Sequence, residues 1–422
     1  MKLKHFLFTN ITTRQTIAKN TFWLMLGQIV SRLIRVAIVI YSARVIGAEQ
    51  WGAFSYILSL AAFFTIFADF GINAVITRES SRDISLQKKY FSTALFIKAI
   101  MVILLGFIIV VFAPLFIKQP AVEILLPLAV LIVAFDVMRD FGTSLSRAWE
   151  RMELEAYNQV ITNVVIFIAG FIAIYFYPSA RSITTAYVAG TGLGMVAAFI
   201  PFKHYFENIR KTFSPDLIKP ILYSSWPLGM LGLMGAFMLN TDTIMIGWFK
   251  DIKDVAYYSA GQRIAQLIYI IPGLIGTAFF PSFARLIGEK ERFKNILEKS
   301  LRLMALIAIP GTILGVLLSP FIIKLLYGAE YLPGISSFQL MNLTYLPIFL
   351  SSILGNALFA LNKEKKLFTY VILGIFGNAL FNLLFIPAFG ITGAALSTLV
   401  NQIIITIYLI YKLRKEMSFR IF

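Results

Sequence analysis

The sequence predicts an all-α integral membrane protein, with twelve transmembrane helices arranged as two six-helix lobes. Three observations support this class: an apolar composition, a row of helix-length apolar segments, and a one-sided distribution of lysine and arginine. The chain is 59% hydrophobic and 15% aromatic, and its mean hydropathy is +0.80. Soluble domains have an apolar fraction nearer to one half, so this composition is typical of a helical bundle in a bilayer.

Twelve segments are long enough and apolar enough to cross a bilayer, or nearly so. A helix needs roughly 17–20 apolar residues to span a hydrocarbon layer of about 30 Å. Because the number of spans is even, both chain termini are expected on the same side of the membrane. The predicted spans are 20–46, 52–77, 90–117, 121–146, 156–177, 183–202, 220–248, 254–285, 300–326, 334–361, 367–386 and 391–411.

Basic residues lie almost entirely in alternate loops. Of the Lys and Arg residues, 27 fall in one set of loops and the two termini, and six fall in the opposite loops. The positive-inside rule assigns the basic side to the cytoplasm, so we predict a multi-pass protein of the cytoplasmic membrane with both termini cytoplasmic. The same bias accounts for the net charge of +17. Anionic membrane lipid is therefore an expected partner, and nucleic acid is not.

The chain repeats itself with an offset of about 206 residues. Segment 113–118, at the end of the third span, matches 319–324 at the end of the ninth, and 51–56 matches 255–260. Repeats of six spans share their orientation, so a pseudo-twofold axis along the membrane normal is expected to relate them. Transporters of this kind usually bind substrate between the lobes, whereas a duplication retained only for packing is the alternative interpretation.

This repeat divides the chain into five parts. The basic start of the chain is expected to lie along the inner membrane surface. The parts are an interfacial segment at 1–19, an N-lobe at 20–202, a cytoplasmic linker at 203–219, a C-lobe at 220–411 and a cytoplasmic tail at 412–422.

Two arginines lie near the middle of the first span. A charge at this depth costs about 2.5–3.5 kcal/mol on insertion scales, so it normally faces a partner or a wet cavity. Arg32 and Arg35 are three residues apart and share one helix face. Two neighbouring guanidinium groups suit an anionic ligand such as a phosphate or diphosphate. Alternatively, Arg32 pairs with Asp69 of the second span and Arg35 extends outward to the interface.

Other charged residues within the spans have structural as well as functional interpretations. Asp136, Arg139 and Asp140 lie within one helical turn and are predicted to form an ion cluster near the inner surface. Asp242 and Arg263 lie on consecutive helices, so they could pair, or Arg263 could contact substrate. Lys98 is close enough to the inner surface for a structural role.

Prolines and missing motifs narrow the function. Pro227 and Pro272 interrupt spans seven and eight and are predicted hinges, since their freed carbonyls need water or neighbouring helices. The chain has no cysteine, no phosphate-binding Gly-rich loop followed by Lys, and no zinc-helix motif. The outer loops have about five to ten residues, which is short for a membrane glycosyltransferase or polymerase. We therefore expect no enzymatic activity, no metal and no cofactor.

Several short motifs in order resemble the multidrug/oligosaccharidyl-lipid/polysaccharide flippase superfamily over essentially the whole chain. Within it, the sequence is most similar to Wzx-type polysaccharide exporters. The resemblance implies a fold like that of multidrug and toxin extrusion (MATE) transporters. It also implies transport of a polyprenyl-diphosphate-linked oligosaccharide from the inner to the outer leaflet. The motifs are Ser31–Arg35 with Ala43–Gly52, Asp69–Gly71, Asn240–Asp242, Tyr257–Arg263 with Phe280–Pro281, and Gly390–Ala395.

Lipid II flippases of this superfamily carry a substrate-site arginine twelve residues before the arginine that precedes the first outer turn. Arg32 and Arg44 have this spacing, and Arg263 matches an arginine that follows an aromatic pair in span eight. A further arginine of those flippases would fall on Ile38, where Arg35, one turn earlier, could substitute. Those flippases have fourteen spans, so the resemblance argues against lipid II as the substrate.

The sequence thus favours a flippase that works by alternating access, with Arg32, Arg35 and Arg263 contacting phosphates or acidic sugars. The acidic groups and Arg139 would serve in gating or in ion pairs. A cation-coupled drug or metabolite antiporter, using Asp69 or Asp242, is the first alternative. A non-transporting scaffold for glycan synthesis is the second. A glycan polymerase or glycosyltransferases are candidate protein partners, and a monomer is expected.

Overall fold

The computed structural model of the protein describes residues 8–420, apart from Lys118 and Asn362. Part of the predicted interfacial segment therefore lies outside the described residues. Within them, the regular secondary structure is entirely helical. The α-helices are α1 (Thr13–Asp69), α2 (Ile72–Arg82), α3 (Gln87–Phe116), α4 (Pro120–Glu123), α5 (Leu126–Ala148), α6 (Met152–Phe176), α7 (Ala180–Phe199), α8 (Ile209–Thr212), α9 (Ile218–Phe249), α10 (Ile252–Ile268), α11 (Ile270–Arg285), α12 (Lys290–Tyr327), α13 (Ile335–Leu343), α14 (Tyr345–Ala360) and α15 (Glu364–Arg414).

Nine helical segments in the described part of the chain are long and apolar enough to cross a membrane, as expected for a multi-pass membrane protein. The first and last of these segments each contain one glycine outside the helical region. Gly47 in α1 has φ 75° and ψ 171°, and Gly390 in α15 has φ 60° and ψ −138°. Glycine adopts positive φ without a Cβ clash. Each long helix is therefore divided into a first and a second arm at its glycine.

Several predicted spans are not single helices, among them 52–77 and 254–285. The first is interrupted between α1 and α2, where Phe70 and Gly71 have φ of 41° and 82°. The second is interrupted at Tyr269, between α10 and α11. Pro272 follows this interruption and has no N–H to donate to the preceding turn, which explains the break. The apolar runs continue through both breaks, so hydropathy alone gave no sign of them.

The contacts divide the chain into two compact units. In the sequence, the first unit ends at Ala236 and the second begins at Phe237. The predicted lobes placed their boundary in the linker 203–219 instead. The first half of α9 belongs to the first unit because its backbone packs directly on the α1–α2 break. A Cβ atom placed on Gly229 would lie 2.6 Å from the carbonyl oxygen of Phe70. The predicted lobes stay a prediction.

A buried aromatic cluster holds one end of the first unit together. Phe91 of α3 stacks on Phe141 of α5, with ring centroids 5.4 Å apart. Ile72 and Phe202 are fully buried in the same cluster. Phe202 lies in a short 3₁₀ helix, Ile200–Tyr205, which is thereby fixed against α2, α3 and α5.

Candidate functional site

Arg35 lies in the first arm of α1 and donates one hydrogen bond to α6. Its Nε donates to Oδ1 of Asn163 at 2.9 Å, and Nδ2 of Asn163 donates to the carbonyl of Gln159 at 2.7 Å. Asn163 is buried, whereas Arg35 is accessible. Because Nε is the bonded atom, the two terminal nitrogens of the guanidinium make no hydrogen bond to the described residues. They can bind an anion from outside the helix pair.

Arg32 lies one turn before Arg35 and is also accessible. It forms no ion pair or hydrogen bond with the described part of the chain, and the charges of Arg32 and Arg35 repel each other. The alternative pairing of Arg32 with Asp69 does not occur, because Asp69 binds Lys98 instead. The alternative in which Arg35 extends to the interface stays a prediction, although Asn163 holds its Nε.

Asp69 and Lys98 form a short ion pair beside the α1–α2 break. Lys98 Nζ lies 2.6 Å from Asp69 Oδ1, and the Lys98 side chain is fully buried, with its Nζ 5.6 Å from the Phe141 ring centroid. Asp69 Oδ1 also accepts the backbone N–H of Asn73 at 3.2 Å. The pair therefore ties α3 to the beginning of α2, which supports the structural interpretation of Lys98.

The three charged residues of α5 make the contacts that their spacing suggested. Arg139 Nη2 lies 3.0 Å from Asp136 Oδ1 and 3.1 Å from Asp140 Oδ1. One guanidinium thus forms ion pairs with two carboxylates. Arg35 also interacts electrostatically with Asp136, which connects this cluster to the first arm of α1. Whether the cluster takes part in gating stays a prediction.

A polar column along α6 extends this cluster, and sequence reasoning missed it. Glu155, Gln159 and Asn163 are spaced four residues apart and so lie on one helix face. Arg147 binds Glu155 through two hydrogen bonds of 2.7 and 2.6 Å, and Gln159 donates to Glu155 at 3.3 Å. The regular spacing of polar residues in an apolar helix was the signal that could have identified the column.

A cavity of about 240 Å³ lies beside the α1–α2 break and is lined in part by Asp69, Asn73, Asp140 and Gly229. Both carboxylates are paired, Asp69 with Lys98 and Asp140 with Arg139. The cavity therefore does not present an isolated negative charge.

The charge balance of these groups is positive. Four acids, at positions 69, 136, 140 and 155, each have a basic partner. Arg32 and Arg35 form no ion pair with the described residues. Their charges are thus available to a ligand, and the ligand that this arrangement favours is an anion.

In the second unit, Asp242 is almost completely buried among neutral donors. It accepts hydrogen bonds from the Tyr258 hydroxyl at 2.5 Å, from Asn382 Nδ2 at 2.6 Å and from the Thr398 hydroxyl at 2.7 Å. The predicted ion pair between Asp242 and Arg263 is wrong, because these donors from α10 and both arms of α15 occupy the carboxylate. Asn382 lies in an apolar helix 140 residues away, and only its polarity could have marked it.

The remaining predicted residues have simpler surroundings. Arg263 lies on α10, is partly buried, and interacts electrostatically with Tyr327. Pro227 lies within α9, and the carbonyl of Pro272 accepts the Ser352 hydroxyl at 2.9 Å. The hinge roles of both prolines stay predictions. Among the described residues, no group of three or more His, Cys, Asp or Glu side chains could hold a metal ion.

Two family models match the sequence. The model described as polysaccharide biosynthesis protein matches residues 17–287, and the MatE model matches residues 227–387. Together they cover most of both units.

Individual proteins also match this chain over most of its length. A Shigella flexneri protein named as an O-antigen transporter is 25% identical over 92% of this chain and 96% of its own length. A Haloferax volcanii protein named as a low-salt glycan biosynthesis flippase is 23% identical over 93% of this chain and 82% of its own. The solved structure of the lipid II flippase MurJ, in an inward closed conformation, superposes with a TM-score of 0.78 at 18% identity. That match covers 95% of this chain and 88% of MurJ, and it shows a shared fold.

Proposed function

Because the chain belongs to the polysaccharide biosynthesis protein family, we propose that it is a flippase for a polyprenyl-diphosphate-linked oligosaccharide. The glycan would pass from the inner to the outer leaflet of the cytoplasmic membrane. The relatives named as an O-antigen transporter and a glycan biosynthesis flippase support this substrate class. The relatives whose names give a role are a transporter and flippases, so the protein carries its substrate across the membrane and does not transform it.

Twelve spans in two six-helix lobes are part of this proposal. The helix order of the first half of the chain returns in the second half, and the interruptions fall at corresponding points. Gly47 corresponds to the gap between α9 and α10, and the α1–α2 break corresponds to Tyr269. The gap between α6 and α7 corresponds to Gly390. Both termini are proposed to be cytoplasmic because of the basic loops.

Arg32 and Arg35 are the proposed binding groups for the diphosphate. The observation that carries the proposal is that neither cation forms an ion pair with the described residues, whereas each of the four nearby acids does; Asp136 interacts with Arg35 only at longer range. Guanidinium groups bind phosphate oxygens in pairs and remain charged at all physiological pH values. Arg263 is the proposed contribution of the second unit. The lipid tail would stay in the hydrocarbon while the headgroup crosses inside the protein.

The membrane potential can drive this direction of transport. Moving one negative charge out of a negative cytoplasm releases about 2.3 kcal/mol per 100 mV. A diphosphate carries at least one negative charge throughout the cycle. This charge crosses the membrane as a net charge if the arginines stay in place. Export of the glycan therefore does not require a coupling cation in this mechanism.

A cation-coupled antiporter is the second candidate, and the MatE match over 227–387 favours it. Asp242 would be its coupling carboxylate. The two functions differ in whether transport depends on a cation gradient. Proteoliposomes that flip a polyprenyl-diphosphate glycan equally well with and without a sodium or proton gradient support the flippase. Flipping that stops without a gradient supports coupling.

The direct test is substitution of the two arginines. Arg32→Ala and Arg35→Ala should each reduce glycan export about 30- to 1000-fold, the equivalent of losing about 2–4 kcal/mol of charged interaction. Arg44→Ala is the matched control, because it removes an accessible arginine of the same arm. Export of cell-surface glycan is measured against the abundance of each variant in the membrane. Normal export by Arg32→Ala and Arg35→Ala at wild-type abundance would contradict the proposal.

A further inference from the structure

A second pocket, of about 800 Å³, lies in the first unit at some distance in sequence from the arginine site. It opens where four apolar spans begin or end. Span Gln87–Leu115 begins there, Pro120–Ala148 ends there, Met152–Phe176 begins there and Ala180–Tyr205 ends there. The pocket residues lie at or just beyond the ends of these apolar segments, which is where lipid headgroups are expected.

The floor of the pocket is a fixed set of hydrogen bonds centred on Gln87, which is 5% exposed. Its Oε1 accepts the Tyr205 hydroxyl at 2.6 Å and the Trp149 Nε1–H at 3.3 Å. Its Nε2 donates to the backbone carbonyl of Ser80 at 2.6 Å. One side chain thus joins α2, α3, the end of α5 and the 3₁₀ helix. A pocket with such a floor is preformed.

Two polar groups that line this pocket make no side-chain hydrogen bond to the described residues. Ser80 is 1% exposed, lines the pocket, and its hydroxyl has no hydrogen-bond partner among the described residues. His204 is half-buried beside Trp149, with ring centroids 6.1 Å apart, and its ring nitrogens make no hydrogen bond to the described part of the chain. A buried hydroxyl without a partner is destabilising, because it has lost its hydrogen bonds to water. A polar ligand would remove this destabilisation.

The rim of the pocket carries one cation without an ion pair, Lys88. Lys88 is accessible and forms no ion pair with the described residues, while Arg151 is bound to Glu153 at 2.9 Å. The lining also contains the acid Glu150, so Lys88 is the cation that the pocket can offer to a phosphate. Basic pockets between helices at the inner membrane surface bind acidic lipid headgroups.

We propose that this pocket, defined by Ser80, Gln87, Lys88, Trp149, His204 and Tyr205, binds the headgroup of an acidic phospholipid. The phosphate lies between Lys88 and His204, and Ser80 donates to an oxygen of the headgroup. The bound lipid fastens the ends of four spans to one another at the membrane surface. Lipid binding in this pocket is independent of the substrate that the protein exports.

The test is lipid retention by the full-length protein, measured by native mass spectrometry after extraction from vesicles of phosphatidylglycerol and phosphatidylcholine. The wild type should retain phosphatidylglycerol in preference to phosphatidylcholine. Lys88→Ala with His204→Ala should weaken this retention at least tenfold. Lys89→Ala is the matched control, because this accessible neighbour does not line the pocket, and it should retain lipid like the wild type. Equal retention by the double variant and the wild type would overturn the proposal.

Ser80→Ala keeps the test valid if the double variant unfolds, since it removes one hydroxyl and leaves the floor intact. It should weaken phosphatidylglycerol binding by about five-fold, or roughly 1 kcal/mol. A polyprenyl phosphate carries the same phosphate chemistry, so vesicles containing it form a third arm. If polyprenyl phosphate is retained and phosphatidylglycerol is not preferred over phosphatidylcholine, the pocket serves the carrier lipid and the phospholipid assignment is wrong.

Discussion

Asn163 orients Arg35 through one hydrogen bond, from the guanidinium Nε to the amide Oδ1 at 2.9 Å. The amide is itself fixed, because its Nδ2 donates to the carbonyl of Gln159. Asn163 is therefore a positioning residue for Arg35. Its position on α6 determines the direction in which the terminal nitrogens of Arg35 point.

Asn163→Ala should reduce glycan export about 5- to 10-fold, less than Arg35→Ala, because Arg35 keeps its charge and loses its orientation. Asn163→Asp should be worse than Asn163→Ala, because the new carboxylate would pair with Arg35 and compete with phosphate. Export is measured at several substrate concentrations at equal membrane abundance. Greater export by Asn163→Asp than by Asn163→Ala would show that Asn163 does not position a phosphate ligand.

Gly229→Ala should lower the melting temperature of the protein by several degrees. A Cβ atom at this position would lie 2.6 Å from the backbone oxygen of Phe70, and backbone at the α1–α2 break cannot move aside cheaply. Gly232→Ala is the matched control on the same helix, because its Cβ would meet Ile66 Cγ2 at 3.5 Å, an ordinary contact. It should be neutral or stabilising by up to about 1 kcal/mol. Thermal unfolding in detergent compares the two, and the reverse order would contradict the close approach.

The Asp69–Lys98 pair should behave as a unit. Lys98 is fully buried, so Asp69→Asn leaves a buried cation without its partner and should cost about 3–5 kcal/mol. Lys98→Met leaves the partly accessible Asp69 and should cost less. The double variant, Asp69→Asn with Lys98→Met, should be more stable than Asp69→Asn alone. A double-mutant cycle on unfolding measures the coupling, and strictly additive effects would mean that the pair contributes nothing of its own.

Asp242→Ala should destabilise the second unit more than Asn382→Ala. The carboxylate accepts three hydrogen bonds, and its removal leaves the buried Tyr258 hydroxyl without an acceptor and takes one acceptor each from Asn382 and the partly buried Thr398, at about 1–3 kcal/mol for a fully buried donor. Asn382→Ala removes one of these donors. The measurement is thermal unfolding of both variants. Similar stability of Asp242→Ala and the wild type would indicate that water replaces the carboxylate, and that the network is not structural.

Hydropathy predicted a multi-pass helical membrane protein because each span must satisfy its own backbone in hydrocarbon, which leaves a long apolar run in the sequence. The sequence patterns did not predict the partners of the buried charges. The pairings considered from the sequence were Asp69 with Arg32 and Asp242 with Arg263, whereas Asp69 binds Lys98 and Asp242 accepts hydrogen bonds from neutral donors. Partner choice depends on the rotation of each helix about its axis and on its neighbours. Neutral donors such as Asn382 carry no charge signal that would identify them in advance.

The single-residue break at Gly47 limits experiments on intact cells. Helix α1 runs for 57 residues with no loop between its arms, and α15 runs for 51 with Gly390 as its only non-helical residue. In the proposed orientation the breaks at Gly47 and Gly390 both face outward. Added proteases and antibodies would therefore find almost no flexible peptide there. Epitope tags for topology mapping belong in the basic loops instead, since an insertion at Gly47 would force two membrane spans apart.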